Sequence, residues 1–188
     1  MNLAKTLVLT CAALGLSVAA HAQDIVVNGS TTVLPVMQKA AESFMAANPD
    51  IKLVISGGGS GNGIKALGEK QCDVAMSSRD IKDKERAAAE KKGVKPVRVA
   101  VAVDAIVPVV NPENPVKDLT LEQLSSIYAG KVRNWKELGG QDAPIVVISR
   151  DTSSGTYETW EELVMKKAKV MPKALLQAAN GAGEQAVA

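Results

Sequence analysis

Apolar and polar positions in the first half of the chain alternate between short strand-like runs and helical spacing. Residues 25–27 are apolar throughout, and apolar residues then recur at helical spacing until Asn48-Pro49. Residues 53–55 begin a second strand–helix pair, and residues 74–76 form a third strand before a charged helix over residues 83–92. Strands that alternate with helices favour parallel βαβ units, so the pattern predicts an α/β fold.

The second half has fewer strand candidates. Alternating valines and a continuous apolar run over residues 97–110 predict a long double strand that joins the two halves. A capping box, Thr120-x-x-Gln123, opens a short helix. Residues 145–148 then predict a strand, and residues 156–167 predict a helix.

The first 22 residues have the layout of a cleavable signal peptide. Lys5 is the only charge, residues 6–20 are apolar, and Ala20-His21-Ala22 resembles a small-residue cleavage site. The apolar stretch is short for a membrane span and nothing comparable follows it, so we expect export to the periplasm. Lipid attachment at Cys11 is a weaker alternative, because apolar residues continue well past it.

Removal of that segment limits the chemistry of the mature chain. The only histidine leaves with it and Cys72 remains as the only cysteine, which excludes an internal disulfide and histidine-based catalysis. The net charge of +2 falls to +1 without Lys5, which is too balanced to indicate nucleic acid binding. No carboxylates have metal-ligand spacing, and aromatic residues make up 3% of the chain, so we expect no metal, no cofactor and an aliphatic core.

Two turns carry the candidate chemistry, at residues 29–32 (Gly-Ser-Thr-Thr) and residues 149–156. Each follows an apolar strand and opens a helix. Helix starts leave backbone N–H groups unpaired with partial positive charge, while hydroxyls add donors and Arg150 adds a guanidinium fork. The two turns therefore predict two walls of one site for a tetrahedral oxyanion, in a binding protein rather than a catalyst.

The glycine-rich loop at residues 57–61 fits no phosphate-binding enzyme motif. Gly63-Ile64-Lys65 interrupts the NTPase pattern, no dinucleotide register exists, and Ser60 lacks the second glycine of a hydrolase elbow. A flexible turn and an anion-binding loop both remain open, and the strand–loop–helix layout favours the second. The segment at residues 77–80, Ser-Ser-Arg-Asp, is either part of the same rim or a helix cap with a surface ion pair.

Together these segments resemble the periplasmic phosphate-binding proteins of ABC transporters, a branch of the type II periplasmic binding proteins. The matching motifs follow in order along nearly the whole mature chain, at residues 29–35, 56–64, 73–79, 127–135 and 150–156. The resemblance implies an α/β fold of two lobes, each a three-layer α/β/α structure. The cleft between the lobes is expected to hold a dehydrated phosphate.

The resemblance also implies which residues bind the ligand. Ligand groups are expected on Thr31, Thr32, Ser60, Arg150, Ser154, Gly155 and Thr156, with Ser30 and Gly61 close by. The predicted site also includes Ser78 and Arg79. Many family members have an aspartate where this chain has Ser78. A serine can accept or donate a hydrogen bond there, but it supplies no charge repulsion against a fully deprotonated oxyanion such as sulfate.

Lobe 1 is predicted over residues 23–103 and lobe 2 over residues 104–188, after the signal peptide at residues 1–22. Family members continue further and return to lobe 1, so we expect the C-terminal part of the fold to be missing. The predicted function is capture of inorganic phosphate for an ABC importer, by a monomer that meets a permease in the inner membrane and is not an enzyme. Alternatives are a phosphate-sensing or adhesion module on the same fold, a binder of another tetrahedral oxyanion, and an exported phosphohydrolase.

Overall fold

The computed structural model describes residues 23–188, so the predicted signal peptide lies outside the described residues. The elements in chain order are β1 (Gln23–Gly29), α1 (Leu34–Ala47), β2 (Ile51–Gly57), α2 (Ser60–Gly68), β3 (Val74–Met76), α3 (Asp83–Lys91), α4 (Leu121–Tyr128), a 3-10 turn (Trp135–Leu138), β4 (Ile148–Arg150), α5 (Gly155–Leu163), β5 (Leu175–Gln177) and α6 (Asn180–Val187). No helix in this part of the chain combines the length and the apolar character that crossing a bilayer requires.

Elements β1–β3 and α1–α3 form what we call the N-terminal unit. Its sheet has the order β2-β1-β3, and β1 pairs in parallel with both neighbours, which confirms the predicted parallel arrangement. Helix α2 packs closely on β1 because Gly63 has no side chain; a Cβ there would lie 2.6 Å from the carbonyl oxygen of Asn28. The backbone amides of Gly58 and Gly59 donate to the carbonyl oxygen of Gly29, so α2 begins beside the carboxyl end of β1.

Elements β4, β5 and α4–α6 form the C-terminal unit. Strands β4 and β5 pair in parallel, and the predicted capping box opens α4, with Thr120 Oγ1 accepting from the Gln123 amide at 3.1 Å. One core cluster consists of Leu124, Trp160, Val164 and Met165. The ring of Trp160 lies 4.7 Å from that of Tyr128, centroid to centroid. The expectation of a purely aliphatic core is therefore wrong for this unit.

The predicted double strand over residues 97–110 is also wrong. The structure has no strand between α3 and α4, and Val97, Val99, Val101 and Val103 are largely exposed. Valine favours a strand where a neighbouring strand accepts its backbone hydrogen bonds and covers its side chain. Among the described residues no strand pairs with this segment, so the alternation alone does not produce one.

Smaller differences between the predicted and observed structure concern the ends of β4 and α5, and Cys72 is a separate observation. Strand β4 begins at Ile148, three residues later than predicted, and α5 ends at Leu163. Lys166 and Lys167 have φ angles of 49° and 70°, and this left-handed backbone cannot continue a right-handed helix. Cys72 is buried, and burial raises the pKa of its thiol, so the surroundings of Cys72 favour a packing residue over a nucleophile.

Candidate functional site

The two units meet where several helices begin. The Gly61 amide at the start of α2 donates across the boundary to the Ser153 carbonyl oxygen at 2.9 Å. Thr32 Oγ1, just before α1, lies 3.3 Å from Thr156 Oγ1 in the first turn of α5. The same oxygen of Thr32 accepts a hydrogen bond of 3.0 Å from the side-chain amide of Asn180, the first residue of α6. Four helix starts thus converge on one boundary.

A second contact across the boundary joins Ser60, Ser78 and Gly155. Ser60 is fully buried, with its hydroxyl 3.2 Å from that of Ser78 and accepting from the Ser78 amide at 3.1 Å. A Cβ on Gly155 would lie 2.5 Å from Ser60 Oγ and 2.6 Å from Ser78 Oγ. The first residue of α5 therefore lies directly against these two hydroxyls, and the absence of a side chain makes the contact possible.

Two further predicted residues, Ser30 and Ser154, direct their hydroxyls to their own backbone. Ser30 is buried, and its hydroxyl accepts from the Thr32 amide at 3.2 Å. Ser154 is the N-cap of α5, and its hydroxyl accepts from the Tyr157 amide at 3.4 Å. Both residues stabilise the turns that hold the neighbouring threonines in position.

The glycine-rich loop is held firmly at the same boundary. Gly59 has a φ angle of 91°, which favours glycine, and a Cβ on it would lie 2.6 Å from Ser153 Oγ. The Ser153 hydroxyl lies 2.5 Å from Asp151 Oδ1 and 3.3 Å from the carbonyl oxygen of Gly58. These contacts favour the interpretation of the loop as part of a site over that of a flexible turn.

Arg150, at the end of β4, has oxygen partners but no carboxylate paired with it among the described residues. Its guanidinium donates to the carbonyl oxygens of Gln177 and Ala178, at 3.0 and 2.8 Å, and to Asn180 Oδ1. The residue is buried, and burial lowers the pKa of the guanidinium, against the raising effect of the Asp151 charge. An arginine remains charged in proteins, so Arg150 places a buried positive charge at the boundary.

Arg79 has the opposite surroundings. Its Nη1 and Nη2 atoms lie 2.9 and 2.8 Å from the two carboxylate oxygens of Glu85, and its Nε atom lies 2.6 Å from Glu158 Oε2. The hydrogen bond to Glu85 raises the pKa of the Arg79 guanidinium, although burial lowers it. Because carboxylates occupy its donor fork, the geometry argues against the predicted role of Arg79 as an anion ligand.

Two cavities adjoin the boundary, and each is lined by some of the predicted residues, whereas Ser30, Ser60, Gly61, Arg79, Ser154 and Gly155 line neither. The polar end of an open cavity of about 640 Å³ is lined by Thr32, Ser78, Arg150, Thr156 and Asn180. Thr31 instead lines a second cavity, together with Gly58 and Ser153. Its Oγ1 atom is buried and has no hydrogen-bond partner in the part of the chain that the structure describes. Thr31 therefore offers an unused polar group to a ligand.

Asn180 and Ser153 contribute contacts that sequence reasoning missed. Asn180 joins Arg150 to Thr32 through its side chain, and Ser153 holds the glycine-rich loop. An asparagine at a helix start is an ordinary capping residue, so its local pattern gave no signal of a contact between units. Ser153 lies within the predicted segment at residues 149–156, and its position there was the one available signal.

The assembled groups are suited to holding an anion. The amides of Gly155 and Thr156 lie at the start of α5 and have no acceptor among residues 23–188. Such amides, neighbouring hydroxyls and an uncompensated guanidinium are all donors, and each of them favours negative charge. The arrangement can bind an oxyanion that several donors contact at once.

A family model described as a PBP superfamily domain matches residues 17–187 of the chain. Among curated proteins, the phosphate-binding protein PstS of Bacillus subtilis is 35% identical over 146 residues, which are 78% of this chain and 47% of that protein. The phosphate-binding protein PstS of Staphylococcus epidermidis is 37% identical over 142 residues, 74% of this chain and 44% of that protein. The chain thus spans about half the length of the curated relatives that it matches.

Solved structures of phosphate-binding proteins also resemble this chain. A phosphate ABC transporter substrate-binding protein with bound phosphate from Clostridium perfringens superposes with a TM-score of 0.79 at 40% identity, covering 88% of this chain and 66% of that one. An ABC-type phosphate transport receptor from Vibrio cholerae superposes with a TM-score of 0.65 at 33% identity, covering 88% of this chain and 67% of that one. The mixed α/β architecture with parallel sheets is therefore that of these proteins.

Proposed function

The chain belongs to the PBP superfamily, and from this membership we propose that it captures inorganic phosphate between its two units for an ABC importer. The observation that carries the proposal is Arg150, a buried guanidinium without a carboxylate partner among the described residues. A buried charge is costly unless it is paired, so this position favours an anion. The relatives named for phosphate support the choice of that anion.

Capture would exchange weak contacts for stronger ones. The hydroxyls of Thr32 and Thr156, and those of Ser60 and Ser78, lie within hydrogen-bond distance of each other. A phosphate between the units would accept from such hydroxyls through charge-assisted bonds, which are roughly twice as strong as neutral ones. Binding would therefore favour the closed arrangement of the units, as in hinge closure around a ligand.

We propose the predicted boundary between residues 23–103 and residues 104–188 as the place where this hinge motion occurs. The proposal includes a monomeric protein in the periplasm that presents both lobes to a membrane permease and performs no chemistry. The description of the relatives as substrate-binding proteins of phosphate ABC transporters supports the transport role. The signal-peptide pattern of residues 1–22 supports export.

Phosphate is expected to stabilise the folded chain. A ligand that binds only the folded state at a hundredfold excess over Kd adds about 2.7 kcal/mol to the free energy of unfolding. For a protein of this size the melting temperature should then rise by about 5–10 °C. Calorimetric titration with phosphate, arsenate, sulfate and molybdate, together with melting curves, tests this. Absence of both binding heat and a thermal shift with every anion would refute the proposal.

Ser78 supports a second candidate, the binding of another tetrahedral oxyanion. Its hydroxyl faces Ser60 and the start of α5, where the sequence resemblance leads us to expect an aspartate in many family members. A hydroxyl accepts a hydrogen bond from a protonated phosphate and equally donates one to a fully deprotonated sulfate. The selectivity for phosphate over sulfate therefore distinguishes a phosphate-binding protein from a binder of another oxyanion.

Ser78→Asp is expected to raise the phosphate-to-sulfate affinity ratio at least about tenfold, equivalent to about 1.4 kcal/mol. A carboxylate repels an anion that has no proton to donate but accepts a hydrogen bond from protonated phosphate. Competition titrations at neutral pH measure the ratio. Ser78→Ala and the exposed Ser43→Asp are the matched controls, for loss of the hydroxyl and for added charge. An unchanged ratio in Ser78→Asp would place Ser78 off the ligand.

A further inference from the structure

The contact between the units includes a cluster of four charged side chains beside the hydroxyl groups. Arg79 and Lys82 supply two positive charges, while Glu85 of α3 and Glu158 of α5 supply two negative charges. Three members belong to the N-terminal unit and its flanking turn, and Glu158 alone belongs to the C-terminal unit. The cluster is therefore neutral as a whole and complete only when the two units are in contact.

Arg79 is the centre of this cluster. Its guanidinium forms a two-pronged pair with Glu85, and its Nε and Nη2 atoms lie 2.6 and 3.3 Å from the two carboxylate oxygens of Glu158. The side chain of Arg79 is 9% exposed and that of Glu158 is 19% exposed. Ion pairs at this degree of burial are screened less by water and salt than surface pairs are.

Chain connectivity ties the cluster to the anion-binding groups. Arg79 directly follows Ser78, whose amide and hydroxyl contact Ser60. Glu158 lies in the first turn of α5, three residues after Gly155. Separation of the two units would therefore both break the Arg79–Glu158 contact and move the start of α5 away from the Ser60 and Ser78 hydroxyls.

We propose that Arg79, Glu85 and Glu158 form an ion-pair latch between the two units that determines how long a bound anion is retained. This inference rests on the proposed phosphate-binding function. Glu85 orients the Arg79 guanidinium from within the N-terminal unit, and Glu158 engages it only in the closed arrangement. Arg79 is thereby a positioning residue that acts through closure, whereas Arg150 is the arginine that contacts the anion.

The latch makes a different prediction from a direct contact between Arg79 and the anion. If Arg79 were a ligand, Glu158→Gln would release its guanidinium and tighten binding. If Arg79 and Glu158 form a latch, Arg79→Gln and Glu158→Gln each weaken the closed state and speed release of phosphate. Each variant removes a partly buried ion pair between the units, so we expect about a tenfold faster dissociation in each variant.

The double variant Arg79→Gln/Glu158→Gln completes a double-mutant cycle, which measures the coupling between Arg79 and Glu158. Glu158→Gln alone already removes the contacts of Glu158 with both Arg79 and Lys82, so the dissociation rate of the double variant should again rise about tenfold rather than about a hundredfold. Lys136→Gln is the matched control, since Lys136 pairs with Asp142 inside the C-terminal unit at an exposed position, and it should leave the rate unchanged. Stopped-flow measurement of phosphate release gives the rates of the wild type, the two single variants, the double variant and the control.

Small-angle X-ray scattering of the ligand-free proteins provides an independent readout. Glu158→Gln should have a larger radius of gyration than the wild type, because opening of the units no longer breaks an ion pair, and Lys136→Gln should not. Multiplicative rates in the double variant, or tighter binding by Glu158→Gln, would overturn the latch. If the wild type binds no phosphate, the proposed function fails, and an equal radius of gyration in wild type and Glu158→Gln would then overturn the latch separately.

Discussion

Replacing Arg150 with alanine is expected to weaken phosphate binding by about 2–4 kcal/mol, which is about thirtyfold to a thousandfold in Kd. The guanidinium is buried at the polar end of the cavity, and its partners in the described chain are neutral oxygens. Its charge is thus available to an anion, in surroundings where charge-assisted bonds are strong. Calorimetric titration of the purified variant with phosphate measures the loss.

Arg150 also forms hydrogen bonds with the segment between β5 and α6, so its replacement could disturb the fold as well as the site. Two control variants separate these effects. Arg150→Lys keeps the charge but loses the fork, and its affinity should lie between those of the wild type and the alanine variant. Arg98→Ala removes an exposed arginine that pairs with Asp80 and should not change Kd. A loss smaller than tenfold in Arg150→Ala, with unchanged circular dichroism, would place Arg150 outside the site.

The two arginines of the predicted site show where local sequence reasoning ends. Arg79 follows the short strand β3, Arg150 is the last residue of the short strand β4, and each comes directly after a serine, so their local patterns are similar. Their surroundings differ, because Glu85 and Glu158 pair with Arg79, whereas Arg150 is surrounded by carbonyl and amide oxygens. Glu158 is 79 residues away from Arg79 in the chain, and only the folded structure brings them together.

The strands and helices of the N-terminal unit could be predicted because their signals are local. The apolar run of β1, the helical spacing in α1 and the glycines before α2 each act within a few residues. The valines at residues 97–110 carry an equally regular pattern, yet a strand also requires a neighbour. A periodic pattern therefore predicts which face a strand would bury, but not whether a partner strand is present.

Gly155→Ala is expected to weaken phosphate binding by about 1–3 kcal/mol, because overpacking a close contact costs about that much and this contact lies between two units that can separate without unfolding. The new Cβ would lie 2.5 and 2.6 Å from the hydroxyl oxygens of Ser60 and Ser78, so those hydroxyls must move or α5 must retreat. Either movement separates donors that the anion needs together. Titration calorimetry measures the affinity, and thermal unfolding measures the stability of the same sample.

Gly181→Ala is the matched control, because Gly181 also lies in the first turn of a helix, α6, and a Cβ there meets no atom within 4 Å. Both substitutions replace a helical glycine with the strongest helix former, which favours the helix by up to about 1 kcal/mol. Only Gly155→Ala should lose affinity, while neither variant should melt at a much lower temperature. Equal phosphate affinity in the two variants would mean that the start of α5 does not close on the anion, and the proposed site would have to exclude Ser60 and Ser78.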